Sequence, residues 1–107
     1  MASLSTHVLD TAAGRPAVGV HVTLESESGA VVGEGATDAD GRISPIGPEP
    51  LPTGDYRLRF DTGRWYEFQG GDAFYPEIVV TFRVVADEHH HVPLLLSPFG
   101  YSTYRGS

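Results

Sequence analysis

The sequence predicts an all-β protein, a β-sandwich of about eight short strands with one short helix. Three observations indicate this fold. The chain of 107 residues contains 13 glycines and 8 prolines, the residue types that separate strands by turns. Between these turns, apolar and polar residues alternate as in strands with one buried face. Only one short segment carries the start and stop signals of a helix.

In the amino-terminal half, strands are predicted over residues 4–11, 20–26 and 31–38, where the sequences are LSTHVLDT, VHVTLES and VVGEGATD. The alternation in the second of these is strict, with three apolar side chains on one face. Asp40-Gly41 is a strong turn signal. Residues 45–54, PIGPEPLPTG, contain four prolines, and we expect an irregular connection there.

The one predicted helix covers residues 61–71, DTGRWYEFQGG. Asp61 or Thr62 can cap its first turn, and the glycine pair at its end favours termination. A helix of about two turns is held by packing rather than by propensity. We therefore expect Trp65 and Phe68 to anchor it.

In the carboxyl-terminal half, strands are predicted over residues 55–61, 77–85, 89–97 and 99–105. The second and third, EIVVTFRVV and HHHVPLLLS, are rich in β-branched or apolar residues. The linker between them, residues 86–88, has the length of a hairpin turn. We expect these two strands to pair with each other.

Length and composition limit the possible functions. A length of 107 residues predicts a single domain over residues 1–107. The net charge is -7 and every basic residue is arginine, which argues against a nucleic-acid or an anionic-membrane partner. The absence of cysteine excludes thiolate catalysis and disulfides. The opening MASLSTHVLD has no secretory signal, so we expect a cytoplasmic location.

Two isolated residues can carry chemistry. His7 lies in the first predicted strand, where a histidine is either a general base or a half-exposed residue bonded to the backbone. Arg42 follows the turn at Asp40-Gly41 and is either a solvated charge or a clamp for an anion. The residues alone leave both alternatives open.

The triplet from His89 to His91 begins a predicted strand. His89 and His91 share one face, and His90 points the other way. Two imidazoles in this arrangement suit a metal pair, but nothing in the sequence fixes a third ligand. The adjacent acidic residues Asp87 and Glu88 fit a solvated turn equally well.

The chain ends in YSTYRGS, which is aromatic and polar on both faces of a strand. One interpretation is an edge strand that pairs with another subunit. The other places Tyr104 or Ser107 in a pocket, with Gly106 allowing close approach to another backbone.

Four stretches together resemble the 5-hydroxyisourate hydrolase family, also called transthyretin-like proteins. They occur in the family's order and cover nearly the whole chain: LSTHVLDTAAGRPAVGV, TDADGRI, FYPEIVVTFRV and HHHVPLLLSPFGYSTYRGS. The terminal Tyr-Arg-Gly-Ser is what distinguishes these enzymes from the hormone carrier transthyretin. His90 departs from the family, which often has an aromatic residue there.

The resemblance implies a two-sheet sandwich that assembles as a homotetramer, with sites where dimers meet. It implies hydrolysis of 5-hydroxyisourate to 2-oxo-4-hydroxy-4-carboxy-5-ureidoimidazoline in urate breakdown, without a metal or cofactor. By resemblance the residues that act on the substrate or bind it are His7, Arg42, His91, Tyr104, Arg105, Gly106 and Ser107.

Each group has an expected role. His7 and His91 would share the proton transfers as water attacks a cyclic amide carbonyl, and which of them is the base stays open. Arg42 would hold the substrate's oxygens and the developing negative charge. Tyr104 and Ser107 would fix the ring by hydrogen bonds.

Three alternatives remain. The chain can be a transthyretin-like carrier of small aromatic ligands, which needs neither the two histidines nor the Tyr-Arg-Gly-Ser end. It can be a zinc enzyme that uses His7, His89 and His91. It can also be a sandwich domain that serves assembly alone.

Overall fold

The computed structural model describes all 107 residues, and it contains two sheets and one helix, as the sequence predicts. The number of strands is nine rather than about eight, because two of them are only two residues long. The strands are β1 Ser3–Asp10, β2 Arg15–Pro16, β3 His21–Ser26, β4 Val31–Ala36, β5 Arg42–Ile43, β6 Gly54–Phe60, β7 Ile78–Val84, β8 His89–Ser97 and β9 Gly100–Thr103.

One sheet has the order β2-β1-β8-β9, with β5 also paired to β1. The other has the order β4-β3-β6-β7. Within the first sheet, β1 and β8 run parallel over eight residue pairs, from Ser3 opposite His89 to Asp10 opposite Leu96. The remaining pairings are antiparallel. The first and eighth strands of the chain therefore lie side by side.

The core lies between the two sheets and contains 19 buried residues. Val8 and Leu94 enter it from the first sheet, and Leu24 and Leu58 enter it from the second. The alternation predicted for residues 20–26 and 55–61 is confirmed, since the apolar side chains of β3 and β6 are fully or almost fully buried. No helix has the length and apolar character needed to cross a membrane.

The expected hairpin between residues 77–85 and 89–97 is wrong. β7 pairs with β6 in one sheet, and β8 pairs with β1 and β9 in the other. The short linker therefore crosses from one sheet to the other, with Asp87 in the left-handed region at φ 51°. Both strands bury apolar side chains in the same core from opposite sides, which a hairpin within one sheet does not allow.

Helix α1 spans Thr62–Phe68 and ends where Gly70 adopts a φ of 78°. Of the two predicted anchors of the helix, Trp65 is confirmed, since its side chain is only 7% exposed. Phe68 is wrong, since it is 79% exposed, and Tyr66 packs into the core instead of Phe68. The buried side of the helix is formed by Thr62, Trp65 and Tyr66. Successive residues of a helix are rotated by about 100°, which places Phe68 about 110° around the helix axis from the centre of that buried side. Asp61 precedes the helix, but its side chain makes no capping hydrogen bond.

Candidate active site

Strand pairing brings three of the predicted site residues, His7, Arg42 and His91, from separate regions of the chain to one face of the first sheet. His7 lies opposite Arg42 in the β1–β5 pair. Ser5 lies opposite His91 in the β1–β8 pair. Partners directly across a ladder extend to the same face, and here that face points away from the core. His91 and His7 have ring centroids 6.4 Å apart.

A tight turn positions Arg42. The carboxylate of Asp38 accepts hydrogen bonds from the backbone N–H groups of Asp40 and Arg42, both at 2.9 Å. The bond from Arg42 is the main reason that the pKa of Asp38 is lowered. Gly41 occupies the left-handed region at φ 77°, and a Cβ there would lie 2.5 Å from the carbonyl oxygen of Val8. Glycine is therefore required in front of Arg42.

The same turn fixes the ring of His7. Its Nε2 lies 2.9 Å from the carbonyl oxygen of Asp40. A carbonyl oxygen only accepts hydrogen bonds, so Nε2 carries the proton and donates it. In neutral His7, Nδ1 is the nitrogen left to accept a proton or a hydrogen bond from a ligand.

The histidine triplet divides as predicted. His90 is 4% exposed and faces the core side, whereas His89 is exposed and His91 is half-buried on the outer face. The Nδ1 atom of His91 lies 2.7 Å from the hydroxyl of Ser5, which leaves Nε2 toward a ligand. Burial is the main cause of a lowered pKa at His91, and the nearby positive charge of Arg42 acts in the same direction.

The last residues of the chain return to His91. After β9 ends at Thr103, the backbone N–H of Gly106 donates a 2.8 Å hydrogen bond to the carbonyl oxygen of His91. Gly106 lies against the His91 ring so closely that a Cβ would be 3.1 Å from Cγ and nearer still to Cδ2. Ser107 follows and lines the same cavity as His91 and Arg42.

Two adjoining cavities share Arg42. One has a volume of about 220 Å³ and contains no apolar side chain; its lining residues are Ser5, Thr6, Arg42, Ser44, His89, His91 and Ser107. The other, about 440 Å³ and more open, is bordered by His7 and Arg42. No salt bridge engages the guanidinium of Arg42. The arrangement offers two imidazoles, one unpaired guanidinium and several hydroxyls to a small polar molecule.

Tyr104 and Arg105 do not face this polar cavity within the protomer. They border a separate cavity of about 310 Å³ between β7 and β8, together with Phe82 and Arg83. The guanidinium of Arg105 lies 3.6 Å from the carboxylate of Glu88. A role for these two residues in substrate binding stays a prediction.

Sequence reasoning missed Ser5 and Ser44, which line the polar cavity. Alternation does place Ser5 on the same face as His7, but only the parallel register of β1 and β8 shows that it lies beside His91. No group of three or more His, Asp or Glu side chains is arranged to hold a metal ion. The predicted zinc alternative therefore lacks an assembled ligand set in this structure.

Comparison with known proteins gives consistent matches. The family model described as "HIUase/Transthyretin family" matches residues 4–106. The "5-hydroxyisourate hydrolase" of Salmonella dublin is 50% identical, over 97% of this chain and 80% of that protein.

Solved structures match as well. The structure of Klebsiella pneumoniae 5-hydroxyisourate hydrolase superposes with a TM-score of 0.93 at 42% identity, over the whole of both chains. Sea bream transthyretin in complex with thyroxine superposes with a TM-score of 0.87 at 32% identity, over 97% of this chain and 94% of that one. The predicted two-sheet sandwich and its transthyretin-like form are confirmed.

Proposed function

The chain belongs to the HIUase/transthyretin family, and from that premise we propose that it hydrolyses 5-hydroxyisourate to 2-oxo-4-hydroxy-4-carboxy-5-ureidoimidazoline. That it is a hydrolase follows from its identity to curated hydrolases over nearly its full length. The observation that carries the substrate proposal is the convergence of His91, Arg42 and Ser107 on one polar cavity, with His7 beside it.

His91 is the general base in this proposal. Attack on an amide carbonyl needs a water molecule that loses a proton, and a base must be neutral to accept it. The lowered pKa of His91 keeps its ring neutral near pH 7. With Nδ1 bonded to Ser5, Nε2 is the atom that accepts the proton. General catalysis of this kind typically contributes ~10²–10⁴ in rate.

Arg42 and Ser107 complete the reacting centre. The unpaired guanidinium of Arg42 stabilises negative charge as it develops on the substrate's carbonyl oxygen, an interaction that strengthens in the transition state. Ser107 donates a hydrogen bond that orients the ring. His7 holds the opposite side of the substrate through Nδ1, because its Nε2 is occupied by the Asp40 carbonyl.

The lining of the cavity disfavours a carrier function. Sites for aromatic ligands are mostly apolar, with few polar groups. The polar cavity lined by His91 and Arg42 has no apolar side chain. A small, oxygen-rich ring fits this polarity better than a hormone does.

Assembly as a homotetramer, with sites where dimers meet, is part of the proposal. Both sheets end in an unpaired edge strand, β7 in one and β9 in the other. Exposed apolar and aromatic side chains border these edges, including Val79, Tyr101 and Tyr104. Unpaired edges of this kind favour pairing with another chain. The mass of the protein in solution, measured by light scattering, tests this part.

A direct assay tests the function. 5-Hydroxyisourate is generated in place from urate with urate oxidase, and its ultraviolet decay is followed with and without the protein. We expect faster decay with the protein, and a loss of at least about tenfold in each of His7→Ala, Arg42→Ala and His91→Ala. These variants remove, in that order, a group that holds the substrate, the charge-stabilising group and the general base.

His21→Ala is the matched control, because His21 lies in the other sheet beside Glu34, 3.7 Å away. An unchanged decay rate with the wild-type protein would refute the function. Full activity in all three site variants would refute the site.

A further inference from the structure

Four side chains on the outer face of β1 and β8 form a continuous hydrogen-bonded row. Ser5 Oγ lies 2.7 Å from His91 Nδ1 and 2.8 Å from His89 Nε2. Ser3 Oγ lies 2.6 Å from His89 Nδ1. The geometry points to a proton relay, in which Ser5 passes to His89 the proton that His91 takes from water. This inference rests on the hydrolase proposal and assigns positioning roles to Ser5 and His89.

The row is a direct result of the strand register. In the parallel β1–β8 pair, Ser3 is opposite His89 and Ser5 is opposite His91. Because side chains alternate along a strand, all four extend to the same face. Each serine hydroxyl therefore has an imidazole beside it, and Ser5 is shared by two. Such contacts join positions more than 80 residues apart in the chain.

The chemistry of the base fixes the direction of every bond in the row. A base at His91 Nε2 needs its lone pair there, so the proton of neutral His91 is on Nδ1 and is donated to Ser5 Oγ. The Ser5 hydroxyl then donates to His89 Nε2. His89 carries its proton on Nδ1 and donates it to Ser3 Oγ.

The proton balance then closes over one reaction cycle. As water attacks the carbonyl carbon, its proton moves to His91 Nε2. The Nδ1 proton of His91 moves to Ser5 Oγ, and the Ser5 hydroxyl proton moves to His89 Nε2. The positive charge is then on His89, and His91 is neutral. When the carbon–nitrogen bond breaks, Nε2 of His91 gives its proton to the leaving nitrogen. The two transfers through Ser5 then reverse, which returns the Nδ1 proton to His91 and leaves His89 neutral.

Burial and charge explain why the charge is better held on His89. His91 is half-buried and faces His7 and Arg42, which oppose a positive charge on its ring. His89 is exposed at the start of β8, where water solvates an imidazolium. The relay thus moves the positive charge from the half-buried His91 to the water-exposed ring of His89 while the tetrahedral intermediate exists.

The first test measures the tautomer and needs no substrate. In protein labelled with nitrogen-15 at histidine, the ring of His91 is expected to carry its proton on Nδ1 in the wild type. We expect that preference to be lost in Ser5→Ala. Finding His91 protonated on Nε2 in the wild type would overturn the relay. This result stands whether or not the protein acts on 5-hydroxyisourate, so failure of the relay and failure of the function are distinguished.

The second test measures turnover in Ser5→Ala, His89→Ala and the double variant. We expect kcat to fall by about tenfold or more in each single variant, the low end of general acid–base effects, with KM little changed. The double variant should be no worse than either single one, because both changes interrupt one relay. Ser5→Thr, which keeps a hydroxyl, should restore turnover.

A proton inventory, in which kcat is measured in mixtures of light and heavy water, separates a relay from a purely structural role. In the wild type, kcat plotted against the fraction of heavy water should be curved, because several protons move together. In Ser5→Ala the plot should be linear. Ser97→Ala is the control. Ser97 lies on β8, as His89 and His91 do, but its hydroxyl donates a hydrogen bond to the carbonyl oxygen of Gly100 and takes no part in the row. Wild-type kcat and a curved plot in His89→Ala would overturn the relay.

Discussion

Substitution of Gly106 by alanine is expected to disable the site while leaving the fold intact. A Cβ at this position would lie 3.1 Å from Cγ of the His91 ring and closer to Cδ2, whereas non-bonded carbons separate by about 3.5–4.0 Å. The ring or the terminal segment must therefore move by roughly an ångström. If the ring rotates, its bond to Ser5 breaks; if the segment lifts, Ser107 leaves the cavity.

The magnitude follows from the displacement. A misplacement of about 1 Å at a reacting centre costs ~10²-fold in rate, or about 2.7 kcal/mol of transition-state stabilisation. The fold loses at most the hydrogen bond from Gly106 to the His91 carbonyl, about 1 kcal/mol. A loss of this size lowers the Tm by only about 4–8 °C.

The assay is the ultraviolet decay of 5-hydroxyisourate, with a thermal melt on the same sample. Gly100→Ala is the control within the same terminal segment. A Cβ at Gly100 would have the Ser97 hydroxyl as its nearest neighbour, at an ordinary distance of 3.7 Å. We expect Gly106→Ala to lose about two orders of magnitude in kcat/KM while Gly100→Ala does not. Equal activity in the two variants would refute the argument that Gly106 positions His91.

Four further predictions concern the turn, the titration of the site and the helix. Gly41→Ala strains a backbone at φ 77° and should displace Arg42, which is checked by lower turnover and a lower Tm than in Gly35→Ala, where a Cβ would meet only ordinary contacts. The folded protein lowers the pKa of His91, so turnover should fall only below about pH 6.5, the ordinary value for histidine. The free energy of unfolding should also fall as the pH drops through that lowered pKa. A fall in turnover that begins above pH 6.5 would contradict this. In Arg42→Gln, an NMR titration should find the pKa of His91 raised toward its ordinary value, since a nearby cation is removed. Trp65→Ala should cost about 3–5 kcal/mol of unfolding free energy and Phe68→Ala little, which denaturant melts will compare.

The parts of the fold that follow a period of two were predictable from the sequence. In the predicted strands 20–26 and 55–61 the alternating apolar side chains are buried, and this alternation is visible without any knowledge of the neighbouring strands. The division of the histidine triplet, with His90 inward, follows from the same rule. The strong turn before Arg42 was also visible, because glycine has a conformation there that other residues avoid.

What depends on which strands meet was not predictable. The short linker at residues 86–88 suited a hairpin between β7 and β8. Instead β7 pairs with β6 and β8 pairs with β1, which puts the two strands into different sheets. The place of Ser5 beside His91 depends on the same long-range register. Local sequence carries no record of that choice.

The pairing of the first strand with the eighth has a consequence for protein synthesis. A ribosome adds residues at about 5–20 per second, so β1 is made on the order of ten seconds before β8 leaves the tunnel. During that time β1 lacks the neighbouring strand with which it pairs over eight residues. Chaperone contact with the nascent chain should therefore persist at β1 until β8 emerges, and only then can the rings of His7 and His91 lie side by side.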